Sequence, residues 1–297
     1  MNSENALILK SAFNIANKVA ADTVLVYADV LDNLHFEGRI SKKFKLIILT
    51  RKKKFDAIDK KKKLLQNWAK SVITVPKIQF TRTNLIKISA TLALSQGIIE
   101  PGAKLVFVTG WSDSGVLDNI QVVDSSRETE FLSGKGLSKL TQIVSPEIFE
   151  SVLNLTIELA QKGREGKPIG TIFVLGDHEK VLQLSKQMIM NPFKGYEEEE
   201  RNILSQSLKE TIREISAMDG AFIIADDGTI LSAGRYLGAA IDESSLPRGL
   251  GSRHIAAAGI TSLTKSLAFV ISESSGDVRI FQEGKIITHI EKSSSKK

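Results

Sequence analysis

Short apolar runs alternate with amphipathic or polar stretches along the first half of the chain. Four of these runs have the length of buried strands: 23–27, 45–49, 71–75 and 104–109. Helical spacing of apolar residues precedes or follows them at 4–20 and about 84–96, and 119–124 is predicted as an added edge strand. This alternation predicts an α/β domain with a parallel sheet and helices on its faces.

The second half of the chain mixes helical spacing with strand-like runs. Helices are predicted over 146–162, 179–190, 197–216 and from 252 onward. Strands are predicted over 169–175, 221–225, 229–233, 267–272, 278–282 and 285–290. Asp-Asp-Gly at 226–228 and Glu-Gly at 283–284 are typical of hairpin turns. We therefore predict a second α/β domain with a mixed sheet, and place the two domains at 1–144 and 145–297.

Composition narrows the class of protein. The 297 residues are 42% hydrophobic, enough for two packed cores, and include no cysteine, which excludes disulfides, thiolate metal sites and cysteine nucleophiles. No apolar run approaches the roughly 20 residues that span a bilayer, and the first residues show no basic segment followed by a cleavable apolar run. We expect a cytoplasmic protein that does not enter a membrane.

The net charge is +6, and the positive charge is concentrated in two basic runs at 51–54 and 60–63. Such runs are usually solvated faces, and no zinc-finger spacing or aromatic ribonucleoprotein motif accompanies them. We expect a solvated surface rather than a nucleic-acid site. A basic, nucleic-acid-associated protein is kept as an alternative that a binding assay can test.

The chemistry is concentrated in one stretch of the second half. Asp219 lies at a predicted helix-to-strand junction, and Ser252 is predicted to cap a helix whose first turn holds Arg253 and His254. Cations in the first turn of a helix are unfavourable unless an anion is bound there, whereas the free N–H groups of that turn attract phosphate. Asp219 would hold a divalent metal or accept a proton. The first domain has no phosphate-loop or dinucleotide fingerprint.

The order of these elements resembles the diadenylate cyclase family. Asp219-Gly220-Ala221 is followed, after a loop, by Leu250-Gly251-Ser252-Arg253-His254, and further similarity covers 234–237, 258–261 and 272–276. The resemblance spans roughly the C-terminal half. It is greatest to the archaeal type, in which a domain similar to the C-terminal part of pyruvate kinase precedes the cyclase domain. Residues 90–110 resemble that domain, which implies assembly or regulation.

The resemblance implies that two ATP molecules condense to cyclic di-AMP and two pyrophosphates, with Mn²⁺ or Mg²⁺ as cofactor. Because each motif occurs once, two cyclase domains from two chains would face each other in a homo-oligomer, which the first domain could extend into a ring. Asp219, Arg253 and His254 would carry catalysis, with Asp219 also binding the metal. The implied nucleotide-binding residues are Gly220, Ala221, Tyr236, Leu237, Gly251, Ser252, Ile255 and Ser272.

Two positions depart from the pattern of many family members. Ile255 stands where they have a second arginine, and Met218 stands where many bacterial relatives have a histidine. One lost charged hydrogen bond costs roughly 1.5–3 kcal/mol, so we expect activity to be reduced or compensated. A catalytically silent adenine-nucleotide sensor is the main alternative from another class. His35, His178 and His289 are isolated, which predicts structural roles.

Overall fold

The chain divides into two compact units, Met1–Gly134 and Lys135–Lys297. The computed structural model describes residues 3–31, 43–51, 69–111, 114–126, 144–239, 246–247 and 249–292. The lysines of the two basic runs, Lys52–Lys54 and Lys60–Lys63, lie outside the described residues, and so does His35.

The described part of the first unit has a five-stranded sheet in the order β3-β2-β1-β4-β5. Its strands are β1 Thr23–Tyr27, β2 Lys45–Thr50, β3 Ala69–Thr74, β4 Lys104–Thr109 and β5 Asn119–Asp124. The first four run parallel, and β5 is antiparallel at the edge. All residues of β1 are buried, as expected for a central strand covered on both faces. The predicted α/β class is confirmed here.

Two helices of the first unit match their predicted positions. Helix α1 covers Ser3–Lys18 and α2 covers Arg82–Ser95. The hydroxyl of Thr81 accepts a hydrogen bond from the Asn84 backbone N–H and so caps α2. The resemblance of this unit to pyruvate kinase stays a prediction.

The second unit has a seven-stranded mixed sheet in the order β12-β11-β10-β6-β8-β9-β7. Its strands are β6 Thr171–Leu175, β7 Ser185–Gln187, β8 Ala221–Ile224, β9 Ile230–Leu237, β10 Leu267–Ile271, β11 Val278–Gln282 and β12 Lys285–Ile290. Its helices are α3 Pro146–Lys162, α4 His178–Gln183, α5 Leu208–Ile215 and α6 Ser252–Leu263. Strands β6 and β8 are parallel, whereas β10 is antiparallel to β6. The predicted mixed sheet is confirmed.

The helix predicted over 179–190 is wrong in its second half. Helix α4 ends at Gln183, and the chain then forms β7, which pairs with β9. The guanidinium of Arg235 on β9 donates to the carbonyl oxygens of Leu182 and Ser185, at 3.0 and 2.8 Å. These bonds satisfy carbonyls at the helix end, so tertiary pairing outweighs local helix propensity.

The single helix predicted over 197–216 is also wrong. A short 3-10 helix covers Glu199–Arg201, and α5 begins only at Leu208. Between them, the Asn202 side chain accepts from the Leu204 N–H and donates to the Asp227 carbonyl, both at 3.0 Å. The chain is therefore held against the β8–β9 turn instead of continuing as a helix.

No helix among the described residues is long and apolar enough to cross a membrane.

Candidate active site

Three neighbouring strands bring the candidate residues to one edge of the second sheet. Ile271 at the end of β10 pairs with Thr171 at the start of β6, and Ile172 of β6 pairs with Ala221 at the start of β8. Asp219 precedes β8 by two residues, and Glu273 follows β10 by two residues. The sheet register therefore places these two carboxylates on either side of the strand that begins beside Gly170.

The Arg253 guanidinium bridges the two carboxylates. Its Nη2 lies 2.9 Å from Asp219 Oδ1, and its Nη1 lies 2.9 Å from Glu273 Oε2. The guanidinium also lies over Gly170, where an added Cβ would approach Arg253 Nη1 to 2.7 Å and Glu273 Cβ to 2.8 Å. The predicted proximity of Asp219 and Arg253 is therefore present, and it depends on a glycine at position 170.

An open cavity of about 560 Å³ lies beside this ion pair. Its lining comprises residues 249–254, residues 271–275, Asp277 and Arg279. The volume is in the range of small-molecule sites. Asp219 and Glu273 have exposed side chains, 83% and 62%, so both carboxylates are accessible to a ligand.

The cavity contains the N-terminus of α6. The predicted cap at Ser252 is wrong: Gly251 is the N-cap, without a side-chain hydrogen bond, and Ser252 is the first helical residue. The N–H groups of His254 and Ile255 bond to the Gly251 carbonyl, at 2.9 and 3.3 Å. The first backbone N–H groups of a helix have no partner within it, so they remain suited to a phosphate.

His254 does not act as a cation, contrary to the predicted Arg-His cation pair. It is 5% exposed, and burial, followed by the positive charge of Arg279, lowers the pKa of His254 from 6.5 to about 4. Arg279 Nη1 lies 3.2 Å from His254 Nε2. A guanidinium can only donate, so Nε2 must be the acceptor and the ring proton must be on Nδ1. Nδ1 has no hydrogen-bond partner among the described residues.

A second ionic network lies behind His254. Asp277 Oδ2 accepts from His289 Nε2 at 3.1 Å and from Arg279 Nη2 at 3.5 Å, and Asp277 Oδ1 accepts from the Lys292 N–H at 3.0 Å. Burial acts to raise the pKa of Asp277, but the bonds from Lys292 and His289 outweigh it and leave that pKa below 3.8. His289 is therefore not isolated, which corrects its sequence interpretation. His178 lies with Nδ1 3.8 Å from Asp226 Oδ1.

Several predicted site residues lie outside the cavity lining. Gly220 adopts φ +112°, and an added Cβ there would meet the Gly234 carbonyl carbon at 2.5 Å. Position 220 therefore requires glycine, because the backbone at Gly234 leaves no room for a Cβ. Ala221 and Leu237 are buried in the hydrophobic core, and Tyr236 on β9 is 59% exposed. Gly251, Ser252 and Ser272 do line the cavity, whereas Ile255 lies one residue beyond the lining stretch of α6.

The donor set suits a hard divalent cation. Asp219 and Glu273 both lie within reach of one guanidinium, and carboxylate oxygens are the ligands that Mg²⁺ and Mn²⁺ prefer. Among the described residues no group of three or more His, Cys, Asp or Glu side chains is arranged to hold a metal ion. Mg²⁺ commonly binds through one or two carboxylates together with substrate phosphates, so two protein carboxylates fit such a site.

Sequence reasoning assigned no role to three charged residues of the cavity lining, Glu273, Asp277 and Arg279. Glu273 lies within the stretch 272–276 that carried the family resemblance, so its position was available as a signal. No sequence signal pointed to Arg279, because Val-Arg-Ile-Phe-Gln over 278–282 is typical of a strand with an outward-facing arginine. Only the packing of α6 on that face, through His254, brings Arg279 into the site.

Two known families match separate parts of the chain. Residues 158–286, which include all the predicted site residues, match the family described as DisA bacterial checkpoint controller nucleotide-binding. Residues 4–133 match a family described as probable sensor domain DacZ_P. The second unit is thus an α/β domain of a nucleotide-binding class.

Curated relatives define the family. A diadenylate cyclase of Methanocaldococcus jannaschii is 38% identical over 207 residues, covering 69% of this chain and 66% of that protein. A diadenylate cyclase of Haloferax volcanii is 33% identical over 228 residues, covering 75% of this chain and 81% of that protein. The chain belongs to the diadenylate cyclase family.

Two solved structures show partial similarity. A hypothetical membrane spanning protein from Bacillus cereus is 20% identical, with a TM-score of 0.39, and the match covers 51% of this chain and 67% of that one. A double mutant of DacA from Staphylococcus aureus is 26% identical, with a TM-score of 0.34, and the match covers 47% of this chain and 84% of that one.

Proposed function

We propose that this chain is a diadenylate cyclase that condenses two ATP molecules into cyclic di-AMP and releases two pyrophosphates. The observation that carries the proposal is the Asp219–Arg253 contact of 2.9 Å beside a cavity at the N-terminus of α6. A carboxylate, a guanidinium and free helix N–H groups are the components that a triphosphate site requires. A pure nucleotide sensor has no evident need for a carboxylate beside the phosphates.

The chemistry has two equivalent halves. In each, the 3′-oxygen of one ATP attacks the α-phosphorus of the other, the bond from that phosphorus to the β-bridging oxygen breaks, and pyrophosphate leaves with the electron pair. Asp219, whose side chain is 83% exposed, would accept the hydroxyl proton. Arg253 and the N–H groups of α6 would hold the phosphates, so the protein contributes positioning and charge neutralisation.

Asp219 is also the residue proposed to hold Mg²⁺ or Mn²⁺, with Glu273 as a second carboxylate. The ion, when bound, would offset the negative charge of the triphosphate. Arg253 lies between these carboxylates and contacts both. We infer that, with a nucleotide bound and a metal held by Asp219 and Glu273, the Arg253 guanidinium would contact a phosphate instead of these carboxylates.

The chain holds one copy of each motif, whereas the reaction joins two nucleotides. We therefore propose an active site between two facing protomers, since a two-fold pair would present the nucleotides to each other. Residues 145–297 would form the catalytic domain. Residues 1–144 would serve assembly or regulation, which agrees with the sensor-domain description matched by 4–133.

The test is incubation of the full chain with ATP and Mn²⁺ or Mg²⁺, followed by mass analysis of the products. We expect cyclic di-AMP and pyrophosphate from the wild-type chain, and a loss of product in Asp219→Asn. ATP protection against thermal unfolding without any product would support the sensor instead. Salt-sensitive DNA binding that is lost when the lysines of 60–63 are neutralised would support the nucleic-acid alternative.

A further inference from the structure

The cavity holds two guanidinium groups in different electrostatic settings. Arg253 lies between two carboxylates, with contacts of 2.9 Å to Asp219 and 2.9 Å to Glu273. Its charge is therefore already balanced within the chain. An anion that binds Arg253 must therefore displace both carboxylates, unless a metal ion already binds those carboxylates.

Arg279 has no comparably close carboxylate among the described residues. Its Nη1 donates to the uncharged His254 ring at 3.2 Å, and its Nη2 lies 3.5 Å from Asp277 Oδ2. That carboxylate makes shorter bonds to His289, at 3.1 Å, and to the Lys292 N–H, at 3.0 Å. The positive charge of Arg279 is thus only weakly compensated, although its side chain is just 16% exposed.

The position of Arg279 on β11 directs it toward α6. Val270 of β10 pairs with Arg279. Phe281, two residues further along β11, packs against the same His254 ring in a tilted arrangement, with the ring centroids 6.2 Å apart. Alternate residues of a strand share one face, so Arg279 and Phe281 lie under the first turn of α6. Arg279 therefore reaches the cavity where the free N–H groups of that helix also lie.

We propose that Arg279 binds a phosphate group of the substrate in this cavity, and that it is the guanidinium available to the phosphates before Arg253 is released from its carboxylates. A planar guanidinium with free N–H donors suits phosphate oxygens, and the interaction is strong when water is partly excluded. The inference rests on the proposed function for the identity of the substrate. The anion site itself can be tested without turnover.

The experiment measures pyrophosphate binding to the full chain by titration calorimetry without divalent metal, so that Arg253 stays paired with its carboxylates. We expect Arg279→Met to weaken pyrophosphate binding about ten- to a hundredfold, the loss typical of one charge-assisted hydrogen bond. Arg279→Lys keeps the positive charge but not the planar guanidinium, so we expect its affinity for pyrophosphate to fall less than that of Arg279→Met. Adenosine, which lacks phosphate, should bind both variants as it binds the wild-type chain.

Arg213→Met is the matched control. Arg213 is an arginine of the same unit with a similarly buried side chain, 19% exposed, and it pairs with Glu210 and Glu158 away from the cavity. Its loss should leave pyrophosphate affinity unchanged. If Arg279→Met does not unfold cooperatively on heating, Arg279→Lys is used instead. A stably folded Arg279→Lys with reduced affinity for pyrophosphate and normal affinity for adenosine would support the inference.

Unchanged pyrophosphate affinity in either folded variant would overturn the inference, and so would an equal loss of adenosine affinity, which indicates general distortion. A wild-type chain that binds no pyrophosphate would overturn it as well. A wild-type chain that makes no cyclic di-AMP, yet binds pyrophosphate through Arg279, would refute the proposed function and support the anion site. If the wild-type chain makes cyclic di-AMP and Arg279→Met binds pyrophosphate with unaltered affinity, the proposed function is supported and the anion site at Arg279 is refuted.

Discussion

Two groups of charged side chains in the second unit have similar composition and opposite arrangements. The helix cluster joins α3 and α5 and consists of Glu158, Lys162, Lys209, Glu210 and Arg213. The cavity cluster lies at the edge of the sheet and consists of Asp219, Arg253, Glu273, Asp277 and Arg279. In the helix cluster several cations surround one carboxylate, whereas in the cavity cluster two carboxylates surround one cation.

The difference decides which cluster can accept a ligand. Glu158 faces Lys162 at 2.6 Å and Lys209 and Arg213 at 3.7 Å each. Burial acts to raise the pKa of Glu158, but these cations, first among them Lys162, outweigh it and lower that pKa. The helix cluster is thus satisfied internally. In the cavity cluster Asp219 and Glu273 set two negative charges against the single charge of Arg253, which leaves oxygen ligands for a metal and, at Arg279, a cation for phosphate.

The largest effect is expected from removing the central cation of the cavity cluster. In Arg253→Met the rate of cyclic di-AMP formation should fall about 10²- to 10³-fold, because a donor to the phosphates in the transition state is lost. The rate is measured by product chromatography under saturating ATP. Arg213→Met, from the helix cluster, should keep the wild-type rate. An Arg253→Met enzyme with nearly full activity would remove the functional distinction between the clusters.

The buried neutral histidine makes the cavity cluster sensitive to acid. The pKa of His254 is about 4 in the folded chain and 6.5 when unperturbed, so between these values the unfolded chain binds more protons. Stability should therefore be complete above pH 6.5 and should fall by about 1.4 kcal/mol for each pH unit toward 4. The pKa of Asp277 is lowered in the folded chain, so the stability that this carboxylate contributes is lost only when the pH falls below its ordinary pKa of 3.8.

Urea unfolding at several pH values between 7 and 4 measures this slope. In His254→Gln the slope over that interval should become shallower, because a neutral amide replaces the titrating ring. In Arg279→Met it should become shallower as well, since the pKa of His254 rises when the adjacent charge is removed. The same slope in all three chains would show that His254 is not the titrating group.

The sequence predicted the elements that depend on local pattern. The buried strands, the β8–β9 hairpin and the start of α6 near 252 follow from apolar runs, turn residues and helix propensity. It did not predict β7 or the break before α5, because Arg235 and Asn202 form these features through contacts with distant parts of the chain. Such contacts leave no local pattern.

Some features of the candidate site were likewise predictable from the sequence, and others were not. The proximity of Asp219 and Arg253 followed from the order of two motifs, but the neutral state of His254 depends on burial and on a strand that comes later in the sequence. Arg279 of β11 lines the cavity although it is distant in sequence from Ile255. If the proposed anion site is correct, Arg279 would offset the arginine that is absent at position 255.

A smaller effect on rate is expected at the glycine beneath Arg253. In Gly170→Ala the new Cβ would approach Arg253 Nη1 to 2.7 Å and Glu273 Cβ to 2.8 Å, so both side chains must shift. We expect a rate about tenfold lower, since misplacement of a positioned group is costly. In the Arg253→Met background the same change should have little further effect, because coupled residues are not additive. Additive losses would show that Gly170 acts elsewhere.

The smallest effect is expected in the helix cluster, at its central carboxylate. Glu158 is 27% exposed, and its ion pairs lie near the surface, where removal of such a pair typically costs about 0–1 kcal/mol. Glu158→Gln should therefore lower the free energy of unfolding within that range and leave the cyclisation rate unchanged. Glu273→Gln, from the cavity cluster, should do the opposite, with a reduced rate and nearly unchanged stability. Paired urea unfolding and rate measurements test this reversal, and if Glu158→Gln impaired the rate more than Glu273→Gln, the helix cluster would have to be counted as part of the site.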